Sequence, residues 1–346
     1  MKSQENQIVV VIKVILCLII GVLYASWLSD LPDFLFRDRN NYYIYAAYPI
    51  ERWALITKTW SSIFFKEPLF VLLNLLLQWI FLDPFQTIRY IVFFVAFAVS
   101  YFVLYRSKNI LFGMIVLIML FFQSQILALQ VVTIRQGVGL AIILWVLPYL
   151  KKRTHIVLLF SICGLFHNSF FLLAFFYVIY WVIFFKLKIK IQNVRYFMFI
   201  ISGIVFFSTF YLITQLVETK QSFEEESLNV GGGAFILWGA VFTYLILFKR
   251  HDLRHSEWSG NNFYEISIIG LVIYLTGYFL APVSGRMIGV FVPFIFLLLF
   301  FKFKARDLIF ISFITLVNFY LYFNGVFENF LTVPMNIFHK FLLKLY

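Results

Sequence analysis

Twelve apolar runs divide this chain, at roughly 8–28, 67–82, 88–105, 110–129, 137–150, 156–166, 170–185, 195–217, 234–248, 264–281, 287–301 and 307–323. A helix that crosses a bilayer needs about 20 apolar residues, because each adds only about 1.5 Å of rise. Some runs fall short of that, so tilted helices and half-spans joined as hairpins are expected among them. Hydrophobic residues make up 63% of the 346, charged residues 13%, and phenylalanine alone occurs 47 times. A soluble domain of this size could not hide so much apolar surface from water. Stretches such as Ile156 to Phe160 and Phe294 to Phe301 lack the period-two alternation of a membrane β-barrel strand. The chain therefore reads as all-α, a polytopic integral membrane helical bundle of about 10–12 spans. It forms one membrane domain over residues 1–346, with outer loops at 29–66 and 218–233.

The net charge of +12 could signal nucleic acid, but its distribution argues against that partner. Lysines and arginines sit in short loops between apolar runs, as topology signals do. Lys151-Lys152-Arg153, the cluster Lys186, Lys188, Lys190 and Arg195, then Lys249-Arg250 with Arg254, and finally Lys302, Lys304 and Arg306 should all face the cytoplasm. Glu218 and Glu224-Glu225-Glu226 should face outward. Cys17 and Cys163 lie within apolar runs and read as small packing residues, with no disulfide or metal expected. The first run is too long for the core of a signal peptide and lacks a clear small-residue cleavage site, so it reads as a retained span.

Three polar islands interrupt or flank these runs: Arg135-Gln136, His167-Asn168-Ser169 and Arg286. A cation at the bilayer centre costs about 3 kcal/mol on insertion scales, so such groups are retained for a reason. The basic clusters alternate correctly only if 156–185 is two helices turning at His167-Asn168-Ser169. One continuous helix there would be about 45 Å long and would place the next basic cluster outside. The same count puts Arg286 and Arg135 outside with His167. Counting forward from a cytoplasmic N-terminus marked by Lys2 and Lys13 gives the opposite side for Arg135. Either a segment in 50–82 is re-entrant or an extra crossing, or the N-terminus lies outside; a non-spanning or additional helix between Pro49 and Leu82 is the expectation.

Two arginines on one face suit a diphosphate headgroup, because guanidinium is permanently charged and offers a planar fork of donors to phosphate. Arg135 and Arg286 would hold the diphosphate and stabilise charge as it leaves; capping of helix-end carbonyls is the plain alternative for each. His167 titrates nearest neutral pH and suits a general base, although a histidine in a hairpin turn also serves as a cap. Asp38 and Glu67 are rival bases. The loop from Arg37 through Asp38, Arg39, Tyr42 and Tyr45 to Arg52 interleaves both signs of charge with tyrosines. Such residues stack on sugar faces and hydrogen-bond hydroxyls, and an interfacial aromatic belt would use the same residue types. Glu67-Pro68 opening a helix is equally a capping pattern.

Other chemistries find no support. The chain has no P-loop, dinucleotide-binding glycine pattern or His-Glu-x-x-His. Gly231-Gly232-Gly233 lacks the following Lys and Ser/Thr and reads as a turn. Gly285 and Gly289 have the spacing of close helix packing. His251 and His255 lie among basic residues and read as solvated. Asn336 to Tyr346, with Lys340 and Lys344 among apolar residues, reads as an interfacial amphipathic helix.

The pattern resembles the EpsG-like branch of the Wzy-type polysaccharide polymerases. The matching features begin with the loop aspartate Asp38 followed by Tyr42 and Tyr45, then Glu67-Pro68-Leu69-Phe70. Next come Ile134-Arg135-Gln136-Gly137-Val138-Gly139-Leu140-Ala141, Leu165-Phe166-His167-Asn168-Ser169-Phe170, and Arg286 in its own span. Together they run through residues 37–290. Where a glycine is expected before the loop aspartate, this chain has Phe36-Arg37. The resemblance implies a bundle related to the GT-C class that joins undecaprenyl-diphosphate-linked oligosaccharide repeat units at the outer face of the bacterial inner membrane. It implies neither cofactor nor metal, with membrane lipid and a chain-length regulator as further partners. Catalysis would fall to His167, Arg135, Arg286, Asp38 and Glu67. Substrate binding would fall to Arg37, Arg39, Tyr42, Tyr45, Gln136 and Asn168. The rival functions are an O-antigen ligase, a lipid-linked glycan flippase or transporter, and a membrane-bound acyltransferase.

Overall fold

The computed structural model describes residues 2–58, 66–216, 232–250 and 260–344. Glu218, Glu224 to Glu226, Gly231, His251, Arg254 and His255 lie outside the described residues, as does most of the expected outer loop 218–233. The helices are α1 (Lys2–Ser29), α2 (Arg39–Ala47), α3 (Pro49–Ile56), α4 (Pro68–Phe81), α5 (Pro84–Arg106), α6 (Ile110–Phe121), α7 (Ser124–Val131) and α8 (Ile134–Val146). They continue with α9 (Arg153–Gly164), α10 (Ser169–Trp181), α11 (Gln192–Leu216), α12 (Gly233–Tyr244), α13 (Gly260–Gly277), α14 (Pro282–Phe300), α15 (Ala305–Phe323) and α16 (Met335–Leu342). One isolated bridge, Phe36 with Leu331, interrupts an otherwise helical molecule among the described residues.

Among the described residues, six helical stretches are long and apolar enough to cross a membrane: Ile8–Ser29, Pro84–Arg106, Ser169–Lys186, Gln192–Ile213, Val283–Phe300 and Ala305–Phe323. The expected run 110–129 is a pair of helices, α6 and α7, bent by 86° at Phe122-Gln123. Gln123 builds the bend, since its side-chain oxygen accepts from the Ile126 N–H at 2.8 Å and caps α7. Asp83 and Asn109 cap α5 and α6 in the same way, accepting from Phe85 and Phe112 at 3.0 and 2.8 Å. The stretch 156–185 is two helices, α9 and α10, broken at Leu165 to Asn168, as the basic clusters require.

The chain forms two compact units, one of residues 1–147, 161–168 and 300–346, the other of 148–160 and 169–299. In the first, α1 and α5 pack antiparallel along their lengths. Lys13 Nζ donates to the Tyr105 and Ser107 carbonyls at 2.8 and 2.7 Å at one end. Arg89 meets Asp30 at 3.1 Å at the other. Helix α8 runs parallel to α5, with Gly137 beside Val95 and Trp145 stacked 5.5 Å from Tyr101. Helix α15 runs beside α6, from Phe303 near Phe112 to Phe319 stacked 3.9 Å from Phe122.

This arrangement accommodates a non-spanning helix between Pro49 and Leu82. The chain leaves α1 and enters α5 at the same end of the pair, the Arg89 end. Helix α4 has only 14 residues and lies alongside α2, with Phe70 against Tyr42 and Tyr45, and Gln78 donating to the Ala47 carbonyl at 3.4 Å. The run 67–82 therefore packs at the Arg89 end of the α1–α5 pair, and Arg135 falls at that end.

A buried apolar layer of Leu35, Phe36, Tyr42, Ala46, Phe70, Val92, Val131, Ile134, Phe327 and Phe338 ties loop, α2, α4 and α8 together. The C-terminal segment returns to that layer. Arg37 N–H donates to the Phe330 carbonyl at 3.2 Å, and Thr332 N–H to the Leu35 carbonyl at 3.0 Å. Helix α16 is amphipathic, burying Phe338 and Leu342 and exposing Lys340. In the second unit, Gly270 and Gly203 let α13 close on its neighbours: a Cβ at Gly270 would lie 2.0 Å from the Phe291 ring, and one at Gly203 2.6 Å from Thr276 Oγ1.

Candidate functional site

Helix α2 begins with Asp38 at its N-cap position and presents Tyr42, which is buried, and Tyr45, which is partly buried, on one side. Arg39, on the same helix, is also buried. Its Nε donates to the Val131 carbonyl at 2.9 Å, its Nη1 pairs with Asp33 at 3.1 Å, and its guanidinium lies 5.0 Å from the Phe36 ring. Those contacts fasten the loop to the end of α7. Arg37 is exposed and donates from Nε to the Leu331 carbonyl at 2.7 Å, which fastens the loop to the C-terminal segment. Arg52 lies over Tyr45 at 4.8 Å.

Glu67 precedes Pro68 and holds φ 52°, ψ 58°, the left-handed region. A non-glycine residue there is held at a cost of about 1–3 kcal/mol, and a following proline disfavours helical backbone further. What holds it is contact on three sides. Leu69 N–H donates to the Leu165 carbonyl at 3.1 Å, tying the start of α4 to the α9–α10 turn. The backbone N–H of Asn168 donates to the Glu67 carboxylate. Arg135 Nη1 pairs with Glu67 Oε2. Glu67 Oε1 also lies 3.9 Å from His167 Nε2, beyond a direct hydrogen bond but within one small side-chain adjustment. Burial raises the Glu67 carboxyl above the ordinary glutamate range, and Arg135 and the Asn168 N–H oppose that rise.

Arg135 sits in the first turn of α8, where the helix dipole disfavours a cation; the Glu67 carboxylate offsets it. The guanidinium lies 5.5 Å from the ring centres of both Tyr42 and Tyr45 and donates to the Tyr42 hydroxyl. Burial pushes the Tyr42 phenol up to about 12 despite Arg135 beside it, so Tyr42 stays a neutral partner. Arg135 keeps one buried N–H, on Nε, without a hydrogen-bond partner among the described residues. Gln136 follows, buried. Gly137 admits α7 at close range, since a Cβ there would stand 2.1 Å from the Leu129 carbonyl oxygen.

The structure thus brings together Tyr42, Tyr45, Glu67, Arg135, His167 and Asn168, with Asp38 at the start of the same α2. Arg286 lies in the other unit, exposed on the first turn of α14. The sequence reading missed one polar cluster. Glu265, on α13, receives a bidentate fork from Arg153 at 2.8 and 3.0 Å, and its Oε2 lies 3.4 Å from the Tyr177 hydroxyl. Arg153 looked like part of a cytoplasmic basic cluster, and a carboxylate buried more than a hundred residues later gives no local signal.

Chemically, the gathered site offers one buried carboxylate paired with a guanidinium and 3.9 Å from an imidazole, beside two phenol rings. Among the described residues, no group of three or more His, Cys, Asp or Glu side chains is placed to hold a metal ion. No curated relative and no solved structure matches the chain. The model of the EpsG family matches residues 10–337, a stretch that contains every residue of this site. The protein is a multi-pass, polymerase-like membrane protein of polysaccharide biosynthesis, and it belongs to the EpsG family.

Proposed function

We propose that the protein polymerises lipid-diphosphate-linked oligosaccharide repeat units, and that the Glu67–Arg135–His167 cluster is where the glycosyl group is transferred. The observation that carries this reading is the Glu67 carboxylate, paired with Arg135 and close to His167. Glu67 holds Arg135 in place and stands 3.9 Å from His167, so a diphosphate that takes Arg135 leaves Glu67 to His167. An acceptor hydroxyl oxygen then attacks the anomeric carbon of the donor sugar, and the bond from that carbon to the diphosphate oxygen breaks. The hydroxyl proton passes to His167, and Glu67 stabilises the imidazolium that forms, as a carboxylate does beside a histidine base. The negative charge left on the lipid diphosphate is met by Arg135, whose unpartnered Nε–H provides a further donor. Tyr42 and Tyr45 give the sugar two aromatic faces. The family resemblance implies Arg286 as a further diphosphate-holding arginine, Asp38 as a rival base, and Gln136 and Asn168 as substrate-binding residues.

Charge supports an outward-facing site. Among the described side chains, the Arg106 end of the first unit carries Lys13, Arg106, Lys108, Lys302, Lys304 and Arg306 against Asp307. The Arg89 end mixes both signs. By the positive-inside rule the Arg106 end is cytoplasmic and the site faces outward, in a bacterial inner membrane with undecaprenyl diphosphate as the lipid carrier.

A deletion strain tests this reading. A polymerase mutant displays single repeat units and no ladder of longer chains. Accumulated lipid-linked polymer would instead identify a ligase, and absence of any outer-face product a flippase. Alanine at Arg135, His167 or Arg286 should reproduce the missing ladder at normal protein levels. Full ladders from all three would remove the site assignment.

A further inference from the structure

A second feature of the first unit lies apart from the residues assigned to glycosyl transfer. A cavity of about 830 Å³ is walled by Ile20, Leu23, Met114, Ile118, Tyr322 and Leu342, among others. Its walls come from α1, α6, α15 and α16, and nearly all are apolar. Its length follows the membrane-crossing direction of α1, from Ile20 to Trp27. Trp27 also borders a second cavity of about 280 Å³, at the Arg89 end, formed with Asp30, Leu31, Pro32, Arg89, Phe341 and Lys344. Trp27 is fixed between the two by stacking 5.3 Å from Phe121 and by donating from Nε1 to the Leu342 carbonyl at 2.9 Å.

We propose that these two cavities are one binding site for an anionic membrane phospholipid, with its headgroup between Arg89 and Lys344 and an acyl chain in the groove. Two arguments commit the site to that occupant. The polar cavity lies at the membrane end of α1 and the apolar groove descends from it, which is the orientation a lipid imposes. The polar cavity carries two cations against one carboxylate, a net positive charge that suits a phosphate and leaves a neutral headgroup without compensation. A tryptophan at the junction is the residue type that seats at the headgroup level. None of these residues belongs to the Glu67 cluster, so the site is separate from the transfer chemistry.

The test uses the full-length protein purified in detergent and offered phosphatidylglycerol or phosphatidylcholine with identical acyl chains, with bound lipid read by native mass spectrometry. A cation near the membrane surface contributes about 1 kcal/mol to an anionic lipid, so retention of phosphatidylglycerol should exceed that of phosphatidylcholine by about fivefold. Lys344→Gln should remove most of that preference, and Arg89→Gln the rest. Leu23→Trp and Ile118→Trp, both at exposed positions in the groove wall, should abolish retention of either lipid while thermal unfolding stays unchanged. Equal retention of the two lipids, or full retention in both tryptophan variants, would overturn the proposal. So would extraction of a polyprenyl phosphate as the bound species from protein purified out of native membranes. Loss of the polymer ladder in an Arg135 variant that still retains phosphatidylglycerol would separate this site from the one assigned to polymerisation.

Discussion

At Glu67, one residue does several things at once. It occupies a left-handed backbone conformation at the N-cap position of α4 and supplies the carboxylate between Arg135 and His167. Its protonation depends on Arg135, and the sign can be worked through. Burial raises the folded-state pKa above the unfolded value, and Arg135 pulls it back. In Arg135→Gln the pull is gone, so the carboxyl titrates higher than in the wild type. A raised carboxyl contributes stability that is fully present below the unfolded pKa and lost as pH rises through the folded pKa. Arg135→Gln should therefore unfold at a lower temperature at about pH 8 than at about pH 5, and Glu67→Gln added to it should erase that difference. A pH-independent melting temperature in the single variant would show that Glu67 is not buried as described. Arg135→Lys should also lose polymer formation, by about a hundredfold or more, since an ammonium cannot present the planar fork. Product ladders at matched protein levels measure that loss.

At the scale of elements, two joints position the site. One is Gly137, in the first turns of α8, where α7 crosses so closely that any Cβ would meet the Leu129 carbonyl. Gly137→Ala should destabilise the purified protein by about 1–3 kcal/mol, the cost of overpacking, seen as a lowered melting temperature. An unchanged melting temperature would mean the crossing is looser than the geometry describes. The other joint is α4, whose apolar composition looks like a span but which begins and ends at the Arg89 end. Cysteines placed at Lys66 and Gln86 should both react with a membrane-impermeant maleimide from one side. A cysteine at Lys108 should react only from the other. Labelling of Lys66→Cys and Gln86→Cys from opposite sides would restore α4 as a crossing. Cys17 and Cys163 are buried and give little background.

On the scale of the whole molecule, each compact unit carries its own polar lock. The first has the Glu67 cluster, the second the Arg153–Glu265 pair with Tyr177. Glu265 is buried and fully engaged, and removing one partner of such a pair leaves an uncompensated charge, at about 3–5 kcal/mol. Arg153→Ala should accordingly lower the melting temperature, and Glu265→Gln added to it should recover part of the loss. A single variant as stable as the wild type would show that the pair is not a lock.

Much of this protein is legible from its residues alone. Long apolar runs with short basic loops dictate a helical membrane bundle, because nothing else satisfies both the backbone and the bilayer. The order Glu67-Pro68, Arg135-Gln136-Gly137, His167-Asn168 identifies the family, and charge alternation requires the turn at His167. Sequence could not decide whether the run 67–82 crosses, because hydropathy reports an affinity for lipid and carries no direction. It could not pair Glu67 with Arg135, nor find Glu265, because partners 68 and 112 residues apart are joined by packing alone. It read Arg39 as a substrate contact from its neighbours in the loop, whereas its donors are turned to Asp33 and the Val131 carbonyl. Local chemistry and hydrophobicity are properties of the chain. Which charges meet, and at which end of the bundle, is set only when α1 and α5 pack antiparallel and the loop between them closes over α8.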